Sequence, residues 1–269
     1  VADLTMAETP PDVIAYNRDA WDREVTRGNR WTVPVTRDQI DAARRGEWEI
    51  VLTPARPVPR AWFGELQARP ILCLASGGGQ QVPILAAAGA RVTVLDNSPR
   101  QLERDREVAE REGLEIRTEL GQMHDLSRFA DGSFDLIFHP TSNSFAPEIR
   151  PVWRECFRVL KPGGRLLSGF ANPLLYLFDE EADTRGELVV RHRIPYADTT
   201  SLDADALARR LESGEPLQYG HTLDDQIGGQ IDAGFRIEGF FEDGFPDTTL
   251  DRYLPTFIAT LAVKPGGSR

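Results

Sequence analysis

The chain has 269 residues, 41% of them hydrophobic, and a formal net charge of −11 at pH 7. That length suits one α/β domain with added segments, and the acidic balance, with no run of Lys or Arg, argues against a nucleic-acid backbone as partner. No apolar run approaches the roughly 20 residues of a membrane span and no charged-then-apolar leader opens the chain, so a cytoplasmic protein that meets small molecules and no membrane is expected. Cys73 and Cys156 read as buried thiols of a reducing compartment.

Residues 1–12 carry two prolines and no apolar period, which reads as a loose terminus. Aromatics then appear among polar residues at Tyr16, Trp21, Trp31 and Trp48, a helix is expected over 38–45 with Ile40 and Ala43 on one side, and residues 52–60 are proline-rich and semi-extended. This region either covers the sheet or closes over bound ligands. The expected division is an amino-terminal lid or cap over 1–67 and a binding domain over 68–269.

Ile71-Leu-Cys-Leu-Ala-Ser-Gly-Gly-Gly-Gln80 joins an apolar run to a glycine cluster and a helical pattern, a buried strand turning sharply into a helix. Glycines let the backbone approach a ligand there, and free N–H groups at the helix start are expected to face it. Asp96 ends the next apolar run, 19 residues after Gly77, where an acid can hold two ribose hydroxyls. A nucleoside-containing cofactor follows.

A short helix is expected over 80–88, a second strand over 91–95, and then a helix opened by Ser98 as N-cap, Pro99 in its first turn and Gln101 placed for a capping box. Strands over 114–118 and 134–138, a helix over 147–160, the Lys161-Pro-Gly-Gly164 break and a strand over 165–170 complete the alternation. Such alternation implies a parallel sheet with helices on both faces and ligands at the strands' carboxyl ends. Residues 171–220 read as an insertion shaping a substrate pocket, with a strand over 187–194 and a helix over 203–211. A capping box at Thr222–Asp225 opens a helix with Leu223, Ile227 and Ile231 on one face, and strands over 235–241 and 256–263 close the chain.

Four stretches together carry a family resemblance: Ile71–Gly79, Val92–Pro99, Gly121–Phe138 and Trp153–Leu167. The chain resembles the class I S-adenosylmethionine-dependent methyltransferases, in particular the small-molecule group similar to the ubiquinone/menaquinone methylases, closely over 68–170 and loosely over 222–263. The resemblance implies a Rossmann-like seven-stranded sheet, five parallel strands plus a carboxyl-terminal antiparallel hairpin strand, and S-adenosyl-L-methionine as cofactor with S-adenosyl-L-homocysteine as product. By position, Asp96 would bind the ribose and Asn97 lie beside the adenine. Gly77 and Gly79 would pass close to the methionine and ribose portions, Met123 pack the adenine, Gln122 bond its amino group, and the loop at His139 lie beside the reactive methyl. Members of the family usually have an acid where Cys73 stands, a glycine where Ala75 stands and an aspartate where Gln122 stands. Ser76, Gln80 or the amino-terminal segment would then hold the cofactor's amino group.

Methyl transfer from a sulfonium is an in-line displacement, in which the protein aligns the partners and excludes water. A base helps only an acceptor that must lose a proton, and His139 is the candidate, its alternative being a bond to backbone or a place in the pocket wall. Asn143, Phe145, Phe170, Asn172, Tyr16, Trp21, Asn29 and Trp31 are the candidate substrate residues. His192 and His221 have no partner at metal-ligand spacing, so no metal is expected. The leading expectation is a methyltransferase acting on a small molecule of secondary metabolism. A lyase, cyclase or cofactor-bound rearrangement enzyme of the same fold, and a non-catalytic binding module, stay open beside it.

Overall fold

In the computed structural model, which describes residues 12–245 and 248–266, the apolar runs assemble a seven-stranded sheet. Its strands are β1 (Pro70–Leu74), β2 (Arg91–Asp96), β3 (Ile116–Leu120), β4 (Phe134–His139), β5 (Leu160–Ala171), β8 (Arg236–Asp243) and β9 (Phe257–Val263), in the order β3-β2-β1-β4-β5-β9-β8. A separate two-stranded ribbon pairs β6 (Tyr196–Ala197) with β7 (Tyr219–Gly220). The first five strands pair in parallel, and only β9 runs against its neighbours β5 and β8. The seven-stranded Rossmann-like sheet expected from the sequence is thus present.

The alternation of side chains along each strand divides the core in two. Ile71, Cys73, Val92 and Val94 pack toward helices α4 (Gln81–Ala87) and α5 (Pro99–Glu112), whereas Leu72, Leu74 and Leu95 pack toward α6 (Arg150–Val159), where Val152, Trp153 and Cys156 are fully buried. The two cysteines are unpaired and lie in different clusters. Ser98 caps α5 by accepting from the Gln101 N–H at 3.1 Å, but the expected capping box is only half made, because no bond returns from the Gln101 side chain.

Ahead of the sheet come α1 (Val13–Arg27), α2 (Arg37–Arg44) and α3 (Arg60–Phe63). Asp12 caps α1 by accepting from the N–H groups of Ile14 and Ala15, and Gly28 ends it at φ 71°. The aromatic count did not reveal this helix, because its buried side includes the polar Asn17. The loose terminus expected over 1–12 lies, but for Asp12, outside the described residues.

The proline-rich stretch is anchored along its length. Leu52 C=O accepts from both the N–H and the hydroxyl of Thr141, each at 3.0 Å. The carboxylate of Asp243 accepts from Thr53 Oγ1 at 2.7 Å and from the N–H groups of Ala55 and Arg56 at 2.9 and 2.8 Å.

Between β5 and β8 lie α7 (Glu180–Thr184), α8 (Asp198–Ser201), α9 (Ala204–Ser213) and α10 (Gly229–Asp232). The strand expected over 187–194 does not form: its alternating residues meet one isolated bridge, Phe178 with Val190, and no partner strand. Residues 224–228 form a turn of π-helix, and its extra residue rotates the pattern. Leu223 and Ile231, expected on the buried face, are 43% and 54% exposed, while Gln226, Gly229 and Gln230 face inward.

The anchoring of residues 50–58 rests on Gly169 in β5, where a Cβ would stand 2.2 Å from the Leu52 carbonyl oxygen. Gly169→Ala is therefore expected to destabilise the protein by about 1–3 kcal/mol through overpacking, read as a lower midpoint in urea unfolding.

Candidate active site

A cavity of about 340 Å³ opens at the carboxyl ends of the strands, bounded by the loops after β1, β2, β4 and β5 and by parts of the first 54 residues. Its floor is the turn from β1 into α4. The three glycine N–H groups there are all engaged by the protein: Gly77 donates to Asp96 Oδ2 at 2.9 Å, Gly78 to the Gln101 carbonyl at 3.1 Å and Gly79 to Asp105 Oδ1 at 3.0 Å. The Gly79 carbonyl in turn accepts from the Val35 N–H at 2.8 Å. A Cβ on Gly77 would stand 2.8 Å from Gln101 Cβ, so only glycine allows α5 this close. Ala75 takes φ 48°, the left-handed region that glycine adopts without cost.

This corrects the expectation of free glycine N–H groups facing the ligand. A pyrophosphate would find those donors taken and two carboxyl groups in its way, whereas a nucleoside bearing cationic groups suits the turn. Burial pushes the Asp96 carboxyl up and the Asp105 carboxyl well up, with the charge on Asp96 adding to the effect on Asp105. Ser76 Oγ and Gln101 Oε1 are buried beside the cavity without a protein hydrogen-bond partner. An amide oxygen can only accept, so a ligand that satisfies Gln101 brings a hydroxyl or an amine. The sulfonium, ammonium and ribose hydroxyls of S-adenosylmethionine fit this donor set.

Of the residues expected at the cofactor, Ala75, Ser76, Gly77, Gln80, Asp96, Asn97 and Met123 line the cavity together. Gly79, Gln122 and His139 do not. Gly79 is held behind the turn by Asp105 and Val35, and Gln122 sits in the turn where its carbonyl accepts from the Asp125 N–H at 3.1 Å. His139 is fully buried beneath the cavity, edge-on to Trp153 with ring centres 5.9 Å apart. Its Nδ1 lies 2.9 Å from the Leu74 carbonyl and its Nε2 2.5 Å from Asn143 Oδ1, so an acceptor faces each ring nitrogen. Burial lowers its pKa, against the two acceptors, which act to raise it. The expectation of a base here is corrected: the imidazole is a strut whose nitrogens are both occupied.

Among the expected substrate residues, Trp21, Trp31 and Phe145 line the cavity, the first and last meeting edge-to-face at 5.0 Å. Tyr16, Asn29, Asn143, Phe170 and Asn172 lie elsewhere. The Tyr16 hydroxyl donates to the Glu215 carbonyl at 3.0 Å, Asn29 caps the turn at Trp31, Asn143 joins His139 to Gln226, Phe170 is core, and Asn172 accepts from the Leu174 N–H. The sequence reading missed Val51 to Pro54, Gln101, Tyr176, Gln218, Phe245 and Phe257 in the lining, and Asp105 behind it. A signal existed for two of them: Gln101 and Asp105 share the inward face of α5 with Leu102 and Val108, and polar residues on an apolar stripe mark a site.

The amino-terminal residues close the cavity from above. Asn97 donates to the Ile14 carbonyl at 3.0 Å and Ser98 Oγ to Asp22 at 2.6 Å. Asn17 bonds the carbonyls of Phe145 and Leu217 at 3.1 and 3.0 Å and accepts from the Leu217 N–H at 2.8 Å, tying α1 to the loop after β4 and to the segment before β7. Gln80 Nε2 donates to the carbonyls of Arg30 and Val33 at 2.7 and 3.1 Å. Among the described residues no group of three His, Cys, Asp or Glu is placed to hold a metal, and no helix is long and apolar enough to cross a membrane.

Comparison with known proteins agrees with this geometry. The family described as "Methyltransferase domain" matches residues 72–168. The "Uncharacterized methyltransferase YbaJ" of Bacillus subtilis (strain 168) is 52% identical over 254 residues, covering 94% of this chain and 98% of that protein. Two solved structures share the fold. An S-adenosylmethionine-dependent methyltransferase from Mesorhizobium loti has TM-score 0.55 and 21% identity over 76% of this chain and 94% of its own. The 1,6-didemethyltoxoflavin-N1-methyltransferase of Burkholderia thailandensis, bound to 1,6-didemethyltoxoflavin and S-adenosylhomocysteine, has TM-score 0.58 and 15% identity over 98% and 93%. The chain belongs to the class I S-adenosylmethionine-dependent methyltransferases, and its cofactor is S-adenosylmethionine.

Two outcomes test the floor of the site. Asp96→Ala removes the acceptor for the Gly77 N–H and, on the ribose role expected of it, should weaken S-adenosylhomocysteine at least about 10-fold in calorimetric titration; unchanged affinity refutes that role. Asp105 has a folded pKa raised above its unfolded value, so its contribution to stability is full below the unfolded pKa and is lost as pH rises through the folded one. Asp105→Asn keeps an oxygen for the Gly79 N–H without that loss. The variant should be more stable than the parent at neutral pH, with the difference vanishing below about pH 4, as read from melting temperatures across pH.

Proposed function

We propose that the protein transfers the methyl group of S-adenosylmethionine to a small-molecule acceptor, both held in the single cavity at the carboxyl ends of β1, β2, β4 and β5. The observation that carries this reading is the continuity of the cavity from Asp96 and Gln101 at the cofactor end to Tyr176 and Gln218 at the other. Asp96, Asn97 and Met123 hold the nucleoside, and Ser76 and Gln101 accept or donate to its polar groups. The cofactor supplies an electrophilic methyl on a sulfonium, so the protein's work is alignment and exclusion of water. Residues 12–67 supply the cover through Trp21, Trp31 and Val51 to Pro54, and residues 171–220 supply a wall through Leu175, Tyr176 and Gln218, which supports their assignment as lid and pocket insertion. The same-fold methyltransferase that holds 1,6-didemethyltoxoflavin beside S-adenosylhomocysteine supports an acceptor of similar scale. Two buried free thiols suit a reducing, cytoplasmic setting.

Incubation of the protein with S-adenosylmethionine and a small-molecule extract, followed by mass spectrometry, tests the proposal. S-adenosylhomocysteine should accumulate with an extract component heavier by one methylene. Methylthioadenosine in its place would assign the fold to lyase or cyclase chemistry, and binding without turnover would make it a binding module.

A further inference from the structure

Several polar groups around the acceptor end of the cavity are committed to the protein. Thr141 Oγ1 donates to the Leu52 carbonyl at 3.0 Å, Ser142 Oγ to the Pro140 carbonyl at 3.0 Å and Thr53 Oγ1 to Asp243 at 2.7 Å. Both oxygen and nitrogen of the Asn17 amide are engaged by Phe145 and Leu217. The Tyr176 hydroxyl donates to Gln218 Oε1 at 3.2 Å, which leaves the Gln218 Nε2 hydrogens without a protein acceptor among the described residues. Around them stand the rings of Phe145, Tyr176, Phe245 and Phe257.

Charge is sparse in the lining. Among the described lining residues only Arg18 and Asp96 are charged. Asp96 belongs to the glycine turn, and the Arg18 side chain, 43% exposed, pairs with Asp19. Burial pushes the Tyr176 phenol up to about 12, so it stays protonated at neutral pH, and the His139 ring is sealed below. An ionised acceptor would lose its hydration here and meet no counter-charge, a cost of several kcal/mol.

Resting on the reading of this cavity as a methyl-transfer site, we propose that the acceptor is an uncharged aromatic molecule, oriented by one hydrogen-bond-accepting atom against the side-chain amide of Gln218. The aromatic walls favour a flat ring system, and the Gln218 amide, whose hydrogens meet no protein acceptor among the described residues, sets its direction, since an unpaired amide in the closed site would itself carry a penalty. Gln218 is thereby a specificity-determining residue.

The test is calorimetric titration of the protein loaded with S-adenosylhomocysteine at neutral pH, using quinoline, N,N,N-trimethylquinolin-6-aminium and quinoline-6-carboxylate as neutral, cationic and anionic probes that all keep the ring nitrogen as acceptor. Quinoline should bind at least about 10-fold more tightly than either charged probe, and Gln218→Leu should weaken quinoline about 5-fold. Gln218→Glu, which also removes the amide donor, should weaken it in the same direction and covers the case of a misfolded leucine variant. A charged probe that matches quinoline, saturable S-adenosylhomocysteine binding with no quinoline binding, or quinoline affinity indifferent to both substitutions would each overturn the proposal. Failure to bind S-adenosylhomocysteine in the first loading step would instead overturn the cofactor assignment.

Discussion

The turn from β1 into α4 can exist only because Gly77 has no side chain and because two acids, Asp96 at the end of β2 and Asp105 in α5, accept from its N–H groups. Close approach of α5 brings Gln101 to the cavity edge, and the same approach places Asp105 where water cannot solvate it. Burying a carboxyl is costly unless it is bonded, and Asp105 has only one of its oxygens satisfied. A glycine turn of this kind in a dinucleotide-binding protein would leave its N–H groups open to an anion. Here the electrostatics are reversed, and a ligand with positive charge is the one the turn accommodates.

Beneath that turn runs a buried polar chain. It passes from the Leu74 carbonyl through His139, Asn143 and Gln226 to Gln230 and Thr260 on β9. The links measure between 2.5 and 3.1 Å, and in a low-dielectric interior such bonds reinforce one another. The chain spans β1, β4, the π-helical turn and β9, and so connects the parallel part of the sheet to the antiparallel strand across the core rather than through the ladder alone. The π-turn earns its place there: by rotating Leu223 and Ile231 outward it delivers Gln226 and Gln230 to positions a regular helix would give to apolar residues.

The sheet, its order of elements and the cofactor end were legible because the signals are local. Strand β1 is an uninterrupted apolar run and β2 is broken only by Thr93 between its terminal Arg91 and Asp96, Ser98 and Gly113 punctuate α5, and the interval between Gly77 and Asp96 is set by one strand–helix–strand unit. What stayed hidden depends on contacts distant in the chain. Nothing near residue 218 or residues 51–54 announces the cavity, and α1 conceals its amphipathic face behind a buried Asn17 that bonds residue 217. For His139 the two roles left open by the sequence differ only in side-chain direction: its place at a strand's carboxyl end suits either, the ring turns toward the Leu74 carbonyl, and backbone position alone does not decide a rotamer. Likewise the strand expected over 187–194 had the correct alternation and no neighbour to pair with, and the register of the helix after Thr222 was lost at a single inserted residue.

The bonds made by α1 have a kinetic consequence. Asn97 and Ser98 fasten it over the nucleoside end, while Asn17 fastens it to Phe145 and Leu217 at the acceptor end, within one rigid helix of four turns. Lifting the helix would break both sets together, so under the proposed lid role the barrier to exchanging one ligand is also the barrier to exchanging the other, and the two residence times are coupled even though the ligands touch different residues.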